Sequence, residues 1–298
     1  MAGSGSDWDK AAKQIDDACY NSGFFMISGH GIADELRNEV RQVSGTFFSL
    51  SASEKRQLHV PGHGRGYIPF ETERLGATID DTGHGDLKES LNICADFENN
   101  VWPKNPPQLQ NVLERLFKEM HGLTDFLMDL CAVALKLPQD FFRQYIDHPK
   151  ATLRLSYYPA VTLPPHEGQS RVTAHTDYGT LSILDPDPYV GGLQIFYRGE
   201  KWIDIHNPKG AFVVNIGDAM QIWTNDKWKS TLHRVIAPQG SGFETQDRLS
   251  LVFLHNPSPD ATITPVKTCV SEKFPAKYQP INAGEHLRQK SHKSRGEA

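Results

Sequence analysis

His175, Asp177 and His233 offer two imidazoles and one carboxylate, and Arg248 adds a guanidinium further along the chain. The first two lie in Ala174-His175-Thr176-Asp177-Tyr178-Gly179, the third in Ser230-Thr231-Leu232-His233-Arg234-Val235, and the arginine opens Arg248-Leu249-Ser250. Two imidazoles and a carboxylate occupy three positions around a metal and leave others open, the donor set of a non-haem Fe(II) site. Zinc accepts the same donors, so the triplet alone leaves the metal open. With 13 histidines in the chain, an HxD triplet followed by a later histidine also arises by chance. Arg248 and Ser250 sharpen the reading. Two residues apart on a strand they share a face, where guanidinium and hydroxyl can grip one carboxylate together. The sequence therefore points to a metal centre that takes a carboxylate-bearing cosubstrate.

The elements that must position these residues fall into two halves. Helical periodicity dominates the first. Residues 8–20 place Ala11, Ala12, Ile15, Ala18 and Cys19 on one face, residues 34–48 repeat Leu36, Val40, Val43 and Phe47, and residues 108–135 form a long amphipathic helix. Between them, residues 24–28 and 89–94 read as buried strands. From Leu153 the period shortens, and strands alternate with turn clusters to about residue 265. The expected strands cover 154–158, 172–177, 181–184, 193–197, 202–205, 212–216, 220–224, 233–237 and 249–255. Eight or more strands at this spacing suggest a jelly roll or barrel rather than an open sheet, and the lack of βαβ alternation disfavours a Rossmann-type fold. His175 and Asp177 would share one strand face, and about five strands would carry the chain back to His233. The organisation expected is a mostly helical region over 1–150 buttressing a β core over 151–270. A C-terminal helix and loose tail over 271–298 would complete one structural unit.

Composition narrows the partners. A chain of 298 residues with net charge −5 has no basic footprint for nucleic acid. The one basic cluster, residues 288–295, reads as a solvated, frayed tail. No apolar run approaches a membrane span, and Met1 to Ser6 lacks the apolar core of a signal peptide. Cys19, Cys94, Cys131 and Cys269 are widely spaced, which argues against a disulfide framework and for a reducing, cytoplasmic setting. The partner expected is a small molecule; nothing in the sequence fixes an oligomeric state.

At this point the chain resembles the 2-oxoglutarate/Fe(II) oxygenases of the isopenicillin N synthase-like family. The resemblance runs through Ser22-Gly23-Phe24-Phe25-Met26-Ile27-Ser28-Gly29-His30-Gly31, Gly66-Tyr67, Asp86-Leu87-Lys88-Glu89-Ser90 and Arg154-Leu155-Ser156-Tyr157-Tyr158-Pro159. It continues through the HxD segment, Gly191-Gly192-Leu193-Gln194, Val214-Asn215-Ile216-Gly217-Asp218, the His233 segment and Arg248-Leu249-Ser250. Asn256-Pro257 and Ile281-Asn282-Ala283-Gly284-Glu285 make it look closer to microbial members, thymine 7-hydroxylase relatives among them, than to plant flavonoid or hormone oxygenases. The resemblance implies a double-stranded β-helix with flanking helices. It implies His175, Asp177 and His233 as iron ligands, with Arg248, Ser250 and Tyr158 on the 2-oxoglutarate carboxylate. Ser156, where many members carry Asn, would lie beside them with a shorter side chain. Dioxygen would be the oxidant, an unactivated C–H bond the target, and succinate and carbon dioxide the by-products. Hydroxylation, desaturation and ring closure all begin with the same hydrogen removal. Tyr67, Asn92, Cys94, Leu193, Phe196 and Phe253 are expected to wall the substrate pocket. The loop over residues 185–190 is expected to be a turn stiffened by two prolines.

One departure stands out. Members commonly open with an apolar strand, whereas here Met1 leads through Gly and Ser straight into a helix; either a different start was used or an edge strand is missing, and a missing strand would expose a neighbouring sheet edge. Two other functions fit the residues. One is an oxidase that uses dioxygen without 2-oxoglutarate, and the other is a non-catalytic barrel that binds a small carboxylate.

Overall fold

The computed structural model describes residues 5–62, 64–79, 84–160, 166–237 and 246–295. The first four residues, on which the reading of the N-terminus rests, lie outside them. The first half supplies helices α1 (Gly5–Asn21), α2 (Asp34–Phe48), α3 (Ala52–Arg56) and α4 (Leu109–Ala134), and strands β1 (Phe24–Ile27), β2 (Gly66–Ile68) and β3 (Glu89–Cys94). The second half supplies β4 (Lys150–Tyr158), β5 (Val172–His175), β6 (Leu181–Asp185), β7 (Leu193–Tyr197), β8 (Lys201–Asp204) and β9 (Phe212–Ile216). Helix α5 (Asp218–Trp223), β10 (His233–Val235), β11 (Arg248–Asn256), the ribbon β12 (Thr262–Ile263) and β13 (Ile281–Asn282), and α6 (Ala283–Arg295) follow.

Two antiparallel sheets form the body. The larger runs β1-β9-β6-β11-β4-β3-β2 and the smaller β5-β10-β7-β8, so strands distant in sequence interleave as in a jelly roll. Strand parity divides the larger sheet into two functions. One face carries Leu91, Leu153, Leu155, Ile183, Val214, Leu251 and Phe253 into the main core, beneath α1, α2 and α4. The helices cover that face because each presents an apolar stripe: Ala12, Ile15 and Cys19 on α1, Val40, Val43 and Phe47 on α2, and Leu109, Leu113, Leu116 and Met120 on α4. The other face looks toward the smaller sheet, and a cavity opens between them. β1 forms one edge of the larger sheet.

The expected helices and most strands lie where periodicity put them. Residues 220–224 do not form a strand; 220–223 belong to α5 and Thr224 caps its end. A short apolar run has no period of its own, and here Ala219, Met220, Ile222 and Trp223 bury themselves at helical spacing. β5 ends at His175, so Asp177 stands beyond the strand, in the turn that follows. The basic residues 288–295 are not a frayed tail. They fall within α6, whose Ser294 carbonyl accepts from the Arg74 amide at 3.0 Å, and Lys290 pairs with Asp218 at 2.8 Å. Ser294 is buried, and Ser291 and Ser294 face the body of the protein.

All four cysteines are free, and Cys19 and Cys131 are fully buried. Burial pushes the Cys131 thiol up to about 12, so it serves as packing rather than chemistry. Among the described residues no helix is long and apolar enough to cross a membrane.

Candidate metal and cosubstrate site

β5 and β10 pair with His175 directly opposite His233, which sets the two rings 4.2 Å apart between centroids. Each ring is fixed in the same way: Nδ1 of His175 lies 2.9 Å from the Thr173 carbonyl, and Nδ1 of His233 lies 3.0 Å from the Thr231 carbonyl. A carbonyl accepts only, so Nδ1 carries the proton and Nε2 keeps its lone pair. Asp177 reaches between the two, with carboxylate oxygens 3.9 Å from His175 Nε2 and 3.8 Å from His233 Nε2. One donor atom from each residue lies within 4.8 Å of the others, a spacing a single ion can bridge.

Asp177 owes its position to a turn. Asp218 at the head of α5 donates its backbone N–H to the Asp177 carbonyl at 2.8 Å, and Asn215 Nδ2 donates to Asp177 Oδ2 at 2.6 Å. The turn closes only because Gly179 and Gly217 meet there. A Cβ on Gly179 would stand 2.1 Å from the His255 carbonyl oxygen, and one on Gly217 would stand 2.5 Å from that of Gly179. Burial opposes charge on Asp177, but His233 and His175 outweigh it and hold the carboxyl below its ordinary value. His175 is pushed down to about 3, first by burial and then by His233. His175 thus presents a neutral imidazole and Asp177 a carboxylate near neutral pH, the protonation a metal requires of each.

That shift has a stability consequence. Unfolded, His175 titrates near 6.5; folded, near 3. Between those values the unfolded chain binds a proton that the native chain refuses, so native stability is lost as pH falls through that window. We expect the urea midpoint of the metal-free protein to be lower at pH 5.5 than at pH 7.5, and the difference to shrink in His175→Phe. An equal difference in both proteins would contradict the assignment.

Deeper in the cavity, Arg248 is 1% exposed and Ser250 is fully buried. They pair with Tyr158 and Ser156 on β4, so all four face the cavity. The Arg248 guanidinium lies 4.7 Å from the Tyr158 ring centroid, and its Nε donates to the Val190 carbonyl at 3.2 Å. Its Nη1 and the Ser250 hydroxyl are buried with no partner. A buried guanidinium nitrogen left unpaired is costly, and a carboxylate would satisfy both groups together. Arg171, also 1% exposed, has Nε and Nη1 unpartnered; burial and then Arg248 lower its pKa.

The loop over 185–190 does more than turn. Asp185 accepts Arg37 at both carboxylate oxygens, at 3.0 and 2.6 Å, while Arg41 donates to the Pro186 and Leu249 carbonyls at 2.8 Å each. Helix α2 thereby clamps the loop whose Val190 holds Arg248.

Of the six wall residues expected from sequence, Leu193 lines the cavity. Tyr67 faces the other way: it pairs with Leu91, lies against Phe47 and donates to Glu89. Phe253 points into the main core against Phe117, and Phe196 rests on Trp202, opposite Leu193 and Ile195 on β7. Asn92 and Cys94 have the right parity but stand outside the cavity lining. Asn92 accepts Arg154 Nε at 3.0 Å, and Cys94 lies 3.8 Å from the Thr152 hydroxyl. The residues present instead include Phe24, Leu75, Val172, Val252 and Leu254. A polar group completes the lining, in which Glu73 bridges Lys88 at 2.7 Å and Arg154 at 2.9 Å, with Tyr178, Ser291 and Ser294 close by. Sequence reasoning missed Glu73, Ser291 and Ser294 because they sit in irregular or C-terminal segments. Asn215 stood in a family motif without a role.

Comparison with known proteins extends this picture. Residues 149–257 match the 2OG-Fe(II) oxygenase superfamily, and residues 1–110 match the region described as non-haem dioxygenase in morphine synthesis N-terminal. The chain is 33% identical over 300 residues to Homoarginine-6-hydroxylase 2-ODD-233 of Oryza sativa subsp. japonica, covering 94% of this chain and 88% of that protein. It is 30% identical over 297 residues to Validamycin A dioxygenase of Streptomyces hygroscopicus subsp. limoneus, covering 94% and 80%. The structure of the full-length thymine 7-hydroxylase of Neurospora crassa in complex with alpha-KG and thymine superposes with a TM-score of 0.85 at 28% identity, covering 96% and 92% of the two chains. A microbial enzyme is thus a near structural neighbour, and a plant hydroxylase stands at comparable sequence identity.

Proposed function

Because the chain belongs to the 2OG-Fe(II) oxygenase superfamily, and so is an enzyme that uses Fe(II), 2-oxoglutarate and dioxygen, we propose that it hydroxylates a C–H bond of a small, acceptor-rich molecule. The observation that carries this reading is the pair of unfilled groups, Arg248 Nη1 and Ser250 Oγ, on the face of β11 from which Arg248 lines the same cavity as the His175–Asp177–His233 set. An oxidase without 2-oxoglutarate would leave that pair to its substrate, and a mere carboxylate binder would have no need of the triad.

In this reading His175, Asp177 and His233 hold the iron. Asn215 aims the Asp177 carboxylate, and the Thr173 and Thr231 carbonyls keep both Nε2 lone pairs inward. Arg248 and Ser250 hold the distal carboxylate of 2-oxoglutarate. Tyr158 supports the guanidinium from below, and Arg171 adds positive potential. Iron with its cosubstrate and dioxygen supplies the oxidation, in which 2-oxoglutarate leaves as succinate and carbon dioxide and one oxygen atom enters the substrate. The remaining work belongs to the walls. Phe24, Val172, Leu193, Val235, Val252 and Leu254 keep the cavity dry around the reacting centre.

The polar lining bears on the substrate. Lys88 and Arg154, which share the Glu73 carboxylate, place two hydrogen-bond donors in the cavity lining. That supports a substrate with carbonyl or carboxylate oxygens. Relatives solved with thymine and with JA carry such groups. Four free cysteines and a site that needs ferrous iron support a reducing, cytoplasmic setting.

The test is succinate release measured across a library of small carbonyl and carboxylate compounds. One or more should raise succinate formation in step with their own loss and gain one oxygen atom in mass. Substrate loss without succinate would replace this reading with the oxidase.

A further inference from the structure

Behind β11, on the face away from the cavity, a second cluster of donors lies against α4. We propose that His121, Asp125 and His255 form a second metal site, for a divalent cation of the zinc class, that ties α4 to β11. The proposal stands independently of the function assigned to the cavity.

His121 and Asp125 are one turn apart on α4 and share a helix face. His255 has the parity of Leu251 and Phe253, which point into the core that α4 covers. The His121 and His255 rings are 6.2 Å apart between centroids, and one donor atom from each of the three residues lies within 4.8 Å of the others. The cavity triad lies within the same limit, with its two rings closer at 4.2 Å between centroids. Among the described residues no other group of His, Cys, Asp or Glu meets it.

The hydrogen bonds indicate what is missing. His255 is 1% exposed, and its Nδ1 lies 2.7 Å from the Thr180 hydroxyl. That hydroxyl has one proton and donates it to the His255 carbonyl at 3.1 Å. In the tautomer with the proton on Nδ1, that nitrogen donates to Thr180 and Nε2 presents a bare lone pair. It is buried with no partner, as is Nδ1 of His121. Two buried imidazole nitrogens without partners, beside a carboxylate, form a site short of one cation. Two histidines and a carboxylate suit zinc, with a fourth position for water, and Thr180 holds one ligand ring from behind. His121 and Asp125 are only half-buried, which leaves a path for the ion.

Zinc bound to the full chain at a buffered micromolar free concentration, counted by elemental analysis, tests the site. Wild type should hold two zinc ions per chain. His175→Ala should hold one, and His121→Ala with Asp125→Asn should also hold one. The thermal midpoint of His175→Ala should rise by several degrees on adding zinc, a rise that disappears when His121→Ala is added. Should the double variant fail to fold, His121→Gln alone gives the same readout, since His121 is half-buried. One zinc in wild type, or none in His175→Ala, would overturn the proposal. So would two zinc ions in a folded His121 variant.

Discussion

Arg248→Gln should raise the 2-oxoglutarate concentration for half-maximal turnover by about two orders of magnitude and leave the substrate requirement nearly unchanged. The guanidinium is 1% exposed, braced by Tyr158 and the Val190 carbonyl, and holds Nη1 without a partner. Removing one partner of a buried charge pair costs about 2–5 kcal/mol, and each 1.4 kcal/mol is about tenfold in affinity. Glutamine keeps a donor but loses the charge and the fork, so it isolates the electrostatic share. Saturating 2-oxoglutarate should restore much of the maximal rate. A variant in which both requirements rise together would remove Arg248 from the cosubstrate and place it in general packing.

The second large effect belongs to the metal set. His175→Ala should lower turnover by at least about a thousandfold, the equivalent of about 4 kcal/mol in the barrier, together with loss of stoichiometric Fe(II) binding to the cavity. Asn215→Ala gives the informative contrast. Asn215 donates to Asp177 at 2.6 Å and would not itself hold the metal, so its loss should cost about 10–100-fold. Iron affinity and activity, measured on the same preparations, separate the two residues. Equal losses would make Asn215 a ligand in practice; undiminished activity in His175→Ala would sink the metal assignment.

Residues that act through regular structure were legible in the sequence. His175 and His233 were, because paired strands force ring against ring. Arg248 with Ser250 was, because strand parity puts both on one face. Asp177 was identified for a wrong reason: it lies past the end of β5 and reaches the site through the Gly179–Gly217 contact, which no periodicity encodes. The cavity walls were largely illegible. Tyr67 and Phe253 are buried aromatics of the expected kind with the opposite parity, and a register shift of one residue carries a side chain to the other face. The true polar lining comes partly from Glu73, in an irregular segment, and from Ser291 and Ser294, in a stretch whose charge run suggested solvent. The role of α2 was equally hidden, since it depends on Arg37 and Arg41 reaching Asp185 and its loop across the fold.

Strand β11 carries a consequence for how such an enzyme changes over time. Arg248, Ser250, Val252 and Leu254 face the cavity, while Leu251, Phe253 and His255 face the helices. Adjacent codons therefore answer to different selective pressures, one set to chemistry and the other to folding. Drift at Val252 or Leu254 can reshape what the cavity admits without disturbing the core, and a library confined to those alternate positions would explore new substrates at little risk to the scaffold.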